Sequence, residues 1–198
     1  MMKHLTRIMV DKDEALSLGL IDGYAWHQAF WEAFPGHDGE KRSFLFRVDE
    51  KERFFQAYLL SELLAARSVW GSWEPKEISS GFLSHKRYLF QLRANPTKRI
   101  GKETDKGKRI GIYKEEDLKA WLTRKAEQSG FKTANFAVSK PIAEYFRKSG
   151  SKQNKLSRVD FEGILEVVDK EKFKKAFNDG VGSAKSLGYG MLILKPIE

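Results

Sequence analysis

The sequence has 198 residues, of which 41% are hydrophobic, so it carries enough apolar material to form a buried core. It contains no cysteine, which excludes disulfides, thiolate metal sites and cysteine nucleophiles. Its 36 Lys and Arg against 27 Asp and Glu give a net charge of +9, which favours a polyanionic partner, either nucleic acid or an acidic membrane surface.

The first part of the chain mixes strand and helix patterns. In chain order these patterns predict a strand over 4–10, a helix over 23–34, strands over 44–49 and 53–61, and an edge strand within 67–80. The helix ends at the breaker pair Pro35-Gly36. A short helix or loop is expected after the strand over 53–61.

The second part repeats this order in a looser form. It predicts a strand over 87–100 that breaks at Asn95-Pro96, a strand over 108–113, a helix over 115–130, a strand over 158–169, a helix over 170–180 and a strand over 189–197. Two βαββαβ halves fit this order better than one sheet does. The sequence therefore predicts an α+β fold with two tandem ferredoxin-like (RRM-like) domains, residues 1–84 and 85–198, packed against each other.

Apolar residues form no continuous run of signal-peptide or membrane-spanning length. Charges such as Lys3, Arg7 and Asp11 interrupt the first twenty residues. We therefore expect a soluble, cytoplasmic protein.

Four of the first eleven residues of the segment Gly180–Leu192 are glycines, and we call this stretch the glycine segment. It is not the dinucleotide fingerprint, because the third glycine would fall on Lys185, and no Walker A motif fits it. Both motifs also follow a strand and open a helix, whereas this segment follows a helix. Two interpretations stay open: a phosphate cradle of backbone amides with Lys185, or a tight helix-to-strand connection.

His27 and Tyr24 lie three residues apart on the predicted helix 23–34, beside its apolar face. An imidazole beside a phenol can perform acid–base chemistry near neutral pH without a metal. A lone histidine on an amphipathic helix is also commonly structural, so both roles stay open. None of the four histidines is paired with another at metal-ligand spacing, and no metal or cofactor is expected.

Asp160 and Glu162 form a competing candidate site. They occupy alternate positions of a predicted strand and would share one face, where paired carboxylates can hold Mg²⁺ for phosphodiester cleavage. Two acids on a solvated strand face are common, and no third ligand is evident, so the solvated face is the favoured interpretation.

Basic residues concentrate in the stretches 93–109 and 139–158, the second with Tyr145 and Phe146 embedded in it. Such stretches suit the phosphates of a nucleic-acid stem, although a solvated loop is the alternative. The RNA-binding candidates within them are Arg93, Lys98, Arg99, Arg147, Lys148, Lys152 and Arg158.

Several segments together resemble the CRISPR repeat endoribonucleases of type I-E systems, which cut precursor CRISPR RNA. The matching pieces, in the family's order, are GYAWHQAFWEAFP, FLFRV, FQLRANPTK, AWL, FEGILEV and GVGSAKSLGYGMLIL. The resemblance implies tandem ferredoxin-like domains and metal-independent cleavage of a repeat stem-loop. In that reaction the 2′-hydroxyl attacks the phosphate, leaving a 2′,3′-cyclic phosphate and a 5′-hydroxyl.

The resemblance also implies roles for particular residues. His27 would be the general acid or base, Tyr24 its partner, and Lys155 the cation near the scissile phosphate. The basic stretch 139–158 would be a hairpin that grips the RNA stem, and Gly182, Ser183 and Lys185 would contact RNA from a glycine segment at the domain interface. The implied partners are the repeat RNA and other subunits of a surveillance complex, and a non-cleaving hairpin-binding module is the alternative.

Overall fold

The computed structural model describes residues 3–36, 42–66, 69–100, 108–147 and 153–197. We call residues 3–78 the first half, and its described residues form four strands and two helices. The elements are β1 (Lys3–Asp11), α1 (Lys12–Ser17), α2 (Gly23–Trp31), β2 (Phe44–Glu50), β3 (Phe54–Ser61) and β4 (Ser72–Ile78). The strands form an antiparallel sheet in the order β2-β3-β1-β4.

Residues 87–197 form the second half. Its elements are β5 (Arg87–Ala94), β6 (Thr97–Ile100), β7 (Lys108–Gly111), α3 (Glu115–Gln128), β8 (Phe131–Val138), β9 (Ile142–Phe146), β10 (Asn154–Val167), α4 (Lys170–Asp179) and β11 (Leu192–Ile197). The main sheet has the order β11-β5-β10-β8, and β6 pairs with β7 in a separate hairpin. The long strand β10 pairs with β8 through its later residues and with β9 through its first five, so β9 and β10 form a second hairpin.

The sheet of the first half and the β11-β5-β10-β8 sheet have the same strand order. Counted along the chain among the four strands of each, the fourth strand lies beside the first, and the third lies between the first and the second. This order is the ferredoxin-like arrangement, so the predicted α+β class with tandem ferredoxin-like folds is confirmed. The predicted boundary after residue 84 falls in the connection between β4 and β5, and the division into domains stays a prediction. Within the described ranges, no helix is long and apolar enough to cross a membrane.

Two apolar clusters stabilise the molecule. In the first half, α2 buries Trp26 and Phe30 against the sheet, where Phe30 meets Phe46 with ring centroids 5.0 Å apart. In the second half, α3 and α4 cover β5 and β10, and this cluster also includes Leu45 and Leu60 of the first sheet. The two halves therefore share apolar contacts as well as the polar contacts described below.

Several elements differ from the sequence prediction. Helix α1 was not predicted, α2 ends at Trp31 instead of residue 34, and no helix forms in the described residues between β3 and β4. Strands β8 and β9 were also not predicted. Only Phe131 is buried in β8, and none of β9 is, so both lack the apolar alternation by which strands are recognised.

Candidate functional site

Helix α2 begins at a capped N-terminus that fixes the position of Tyr24. The Asp22 carboxylate accepts hydrogen bonds from the backbone N–H groups of Tyr24, at 2.8 Å, and of Ala25, at 2.9 Å. These groups have no partner within the helix, so the cap satisfies them and stabilises the helix by about 1 kcal/mol.

His27 is half-buried on α2 in a setting of aromatic rings. Its Nε2 accepts a hydrogen bond from Trp31 Nε1 at 3.1 Å, which assigns the proton of a neutral ring to Nδ1. The ring centroid lies 5.8 Å from that of Phe44 and 6.3 Å from that of Phe46. Trp31 thus orients the imidazole, a role that the sequence reasoning missed although Trp31 follows His27 by one helical turn.

The glycine segment packs directly against the start of α2. A Cβ on Gly23 would lie 2.6 Å from the carbonyl oxygen of Leu187, so only glycine allows this approach of the two backbones. Gly188 has a φ of 86° and packs on Phe46, one of the rings beside His27. The segment is therefore a tight connection, and it also borders the helix that carries Tyr24 and His27.

Arg42 and Lys185 bring positive charge to the same region. The Arg42 guanidinium lies 6.0 Å from the centroid of the Phe44 ring that flanks His27, and burial lowers its pKa. Burial also lowers the pKa of Lys185, and the charge of Arg42 is among the further causes. Arg42 was not predicted, because nothing in its sequence neighbourhood marks it.

A cleft of about 320 Å³, which we call the central cleft, separates the start of α2 from the β9–β10 hairpin. Asp22, Gly23 and Trp26 line it from the first half, and Tyr145 lines it from the hairpin. Tyr24 and His27 are not among its described lining residues, and they lie beside it on α2.

Lys155 lies on the hairpin that faces α2 across the central cleft. It is exposed, and it is the direct cross-strand partner of Tyr145. Side chains of such partners emerge on the same face of a sheet, so Lys155 shares the face of Tyr145. The helix that carries Tyr24 and His27 thus borders the central cleft on one side, and the hairpin that carries Lys155 borders it on the other.

A polar network ties the hairpin to the glycine segment. The Tyr189 hydroxyl donates a hydrogen bond to Glu144, whose other oxygen accepts one from Arg158 Nη1 at 2.9 Å. Burial raises the pKa of Tyr189 well above its ordinary value, and the charge of Glu144 raises it further. The phenol therefore stays protonated as a donor.

Arg93, one of the predicted RNA contacts, forms ion pairs with carboxylates of both halves, and its contact with RNA stays a prediction. Arg93 is only 9% exposed, and it donates from Nη1 to the carbonyl of Val48 at 2.6 Å, from Nη2 to Asp49 at 2.8 Å and from Nε to Asp160 at 2.9 Å. Burial opposes its charge, but Asp160 and then Asp49 outweigh burial and raise its pKa. Arg93 therefore joins the two halves internally.

The same network argues against the alternative magnesium site. The Asp160 carboxylate accepts from Arg93 and lies 3.4 Å from Arg158 Nε and 3.8 Å from Arg47 Nη2. Glu162 lies 3.4 Å from the Gln91 amide. The Asp160 carboxylate, which the metal would need, is therefore already paired with arginines. In the described residues, no cluster of three or more acids or histidines could hold a metal ion.

The remaining predicted RNA-binding residues differ in exposure and in hydrogen-bond partners. Lys98 and Arg99 on β6 and Arg147 after β9 are exposed, while Gly182, Ser183 and Lys185 are half-buried. Arg158 is paired with Glu144, and Ser183 Oγ donates to the carbonyl of Asn95 at 3.3 Å. Lys148 and Lys152 lie outside the described residues.

Comparisons with known proteins identify the family of this chain. The model of the family "CRISPR associated protein" matches residues 3–196. The chain is 30% identical over 190 residues to the CRISPR system Cascade subunit CasE of Escherichia coli strain K12, a match that covers 89% of this chain and 93% of the relative. It is 35% identical over 133 residues to the CRISPR-associated endoribonuclease Cse3 of Thermus thermophilus, which covers 62% of each chain.

The fold matches a solved structure of Thermus thermophilus Cse3 bound to an RNA representing a pre-cleavage complex. That match has a TM-score of 0.83 and 25% sequence identity, and it covers 99% of this chain and 100% of the other. The chain belongs to this family of CRISPR-associated proteins, which confirms the resemblance drawn from its sequence.

Proposed function

We propose that this protein is a metal-independent endoribonuclease that binds the stem-loop of CRISPR repeats in precursor RNA and cleaves it. It would act in the cytoplasm and keep its product as a subunit of a type I-E surveillance complex. The observation that supports the proposal is that α2, which carries Tyr24 and His27, and the β9–β10 hairpin, which carries Lys155, border the same cleft, with the glycine segment packed against α2. The names of the relatives, a Cascade subunit and a CRISPR-associated endoribonuclease, support the same activity.

The reaction needs two proton transfers and stabilisation of one developing charge. The 2′-hydroxyl loses its proton as its oxygen bonds to phosphorus, and the 5′-oxygen gains a proton as its bond to phosphorus breaks. His27 supplies or accepts one of these protons, and Tyr24, three residues earlier on the same helix, is its partner at the reacting groups. Lys155 offsets the negative charge that develops on the phosphate oxygens.

The β9–β10 hairpin is the proposed grip on the RNA stem. Arg147 and Lys155 are exposed on it, and the predicted contacts Lys148 and Lys152 fall between its strands in the sequence. The major groove of an A-form helix is too deep and narrow for side chains to read its bases easily. The hairpin would therefore act mainly through shape and phosphate contacts.

Cleavage of a labelled CRISPR-repeat hairpin in excess EDTA tests this function directly. A matched RNA with a 2′-deoxy residue at the cut site is the control, since it removes only the attacking group. Cleavage of the first RNA and not of the second supports 2′-hydroxyl attack without a metal. Loss of cleavage in EDTA contradicts the mechanism, and tight binding without cleavage would instead indicate a hairpin-binding module.

A further inference from the structure

A second cleft, of about 510 Å³, lies between the β6–β7 hairpin and α3, and we call it the basic cleft. Its lining cations are Lys98, Arg99, Arg109, Arg124 and Lys125. Arg109 ends the basic stretch 93–109 but was not named among the predicted contacts. Arg124 and Lys125 lie outside both basic stretches, on α3, and only the fold brings them beside this hairpin. Gly182 and Ser183 of the glycine segment close one side of it.

Within the described part of the chain, few carboxylates pair with the cations of the basic cleft. Arg99 and Arg109 are direct cross-strand partners, an arrangement of like charges that destabilises a hairpin without an anion. Among the described residues, no carboxylate lies within ion-pairing distance of Arg99, Arg109 or Arg124. Lys98 lies 3.5 Å from the exposed carboxylate of Asp117, and Lys125 bonds the neutral side chain of Gln128.

The field of this cluster extends toward α2. The charge of Lys125 is one of the causes that lower the pKa of Lys185, which lies in the glycine segment beyond Ser183. In the glycine segment, Ser183 thus lines the basic cleft, and Leu187 packs against the start of α2. These positions are four residues apart, at most about 14 Å of chain.

We propose that the basic cleft binds the phosphate backbone of the same RNA that is cleaved beside α2, where the strand continues across the glycine segment. This inference rests on the proposed function. The aromatic side chain in the lining, Trp121, is only 3% exposed, so the cleft offers cations and no stacking surface for bases. The phosphates belong either to the stem or to the single-stranded flank of the repeat.

The test is RNA binding by the double variant Arg109→Gln and Arg124→Gln. Loss of Arg109 relieves the repulsion from Arg99, so the variant should fold at least as well as the wild type, which thermal unfolding checks. The matched control is Lys174→Gln with Lys175→Gln on α4, where both lysines are exposed and paired with Glu171 and Asp179.

Dissociation constants are measured against salt for a bare stem-loop and for the same stem-loop with both flanks. Loss of two phosphate contacts should reduce the slope of log affinity against log salt by about 1.4 to 1.8 and weaken binding about tenfold at low salt. If the variant loses affinity only for the flanked RNA, the cleft binds the single-stranded flank. If it loses affinity equally for both RNAs, the cleft binds the stem. Wild-type binding of both RNAs by the variant overturns the proposal.

The two proposals fail in different ways. The cleavage rate of saturated variant enzyme should equal that of the wild type, because the substituted arginines lie outside the cleavage site. If the wild type binds RNA without cleaving it while the variant binds weakly, the proposed nuclease activity is wrong, but the proposed RNA binding by the basic cleft is supported. If the wild type cleaves and the variant binds normally, only the basic cleft is wrong.

Discussion

Arg93 and Asp49 join the two halves of the molecule through a hydrogen bond of 2.8 Å between the Arg93 Nη2 and the Asp49 Oδ1. Arg93 lies on β5 of the second half and Asp49 on β2 of the first. Since β2 also carries the rings beside His27, whereas β10 carries Lys155, this pair holds together the two sheets that provide the site.

Replacement of Arg93 by Met should destabilise the protein. It removes the hydrogen bonds of Arg93 to Asp49 and Asp160, but Arg47 still pairs with Asp49 at 3.0 Å and Arg158 still lies 3.4 Å from Asp160. The cost should therefore be that of lost hydrogen bonds to charged groups, about 1.5–3 kcal/mol. Urea unfolding measures it, with Arg87→Met, an exposed arginine on the same strand, as the control. Equal stability of the two variants would show that Arg93 does not join the halves.

Replacement of Gly23 by Ala should damage both stability and activity. The new Cβ would lie 2.6 Å from the Leu187 carbonyl oxygen and push the glycine segment away from α2. Overpacking of this kind costs about 1–3 kcal/mol. Gly81→Ala, whose Cβ meets nothing closer than 3.9 Å, is the control for unfolding and cleavage assays. A Gly23→Ala protein that cleaves RNA at the wild-type rate would contradict this packing role.

Replacement of Lys155 by Met should slow cleavage by about 100-fold or more, because it removes the cation that offsets charge in the transition state. Affinity for the hairpin should change much less, since one phosphate contact among several is lost. Single-turnover rates at saturating enzyme separate the two effects, with Lys195→Met, an exposed lysine outside both basic stretches, as the control. A variant that binds weakly but cleaves at the normal saturated rate would make Lys155 only a binding residue.

Lys185→Met should raise thermal stability at pH 7 while it weakens RNA binding. Burial lowers the pKa of Lys185 and nearby cations such as Arg42 lower it further, so the folded state holds this proton less tightly than the unfolded chain does. The charged form of Lys185 therefore lowers the stability of the folded protein at neutral pH. This loss of stability disappears as the pH rises from the lowered pKa of the folded state to the pKa of lysine in the unfolded chain, because Lys185 then becomes neutral. The difference in Tm between variant and wild type should shrink by pH 10. A constant difference would exclude titration of Lys185 as its cause.

The sequence predicted the architecture well wherever the pattern was strong. The strands of the first half and helices α3 and α4 have clear apolar periodicity and formed close to their predicted places. Strands β8 and β9 are mostly exposed, so their residues carry little of that signal. Local pattern alone does not reveal such elements.

The site was predictable only in part, for a related physical reason. Tyr24 and His27 share one helix, so their spacing in the sequence is also their spacing in the fold. The role of Arg93 depends on carboxylates 44 and 67 residues away in the chain. A pattern of basic residues cannot distinguish such an internal ion pair from an exposed RNA contact. Arg42 carries no local signal of its place beside His27, whereas the spacing of Trp31, one helical turn after His27, does.

Cleavage of a labelled repeat hairpin by His27→Ala tests the central claim most directly, with Gln28→Ala, an exposed neighbour on the same helix, as the control. The account predicts that His27→Ala lowers the single-turnover rate by about 100-fold to 10,000-fold, the usual contribution of general acid–base catalysis, while hairpin affinity stays within a few-fold. The control should cleave normally. Cleavage by His27→Ala at the rate of the Gln28→Ala control would contradict the assignment of His27 as the catalytic acid or base.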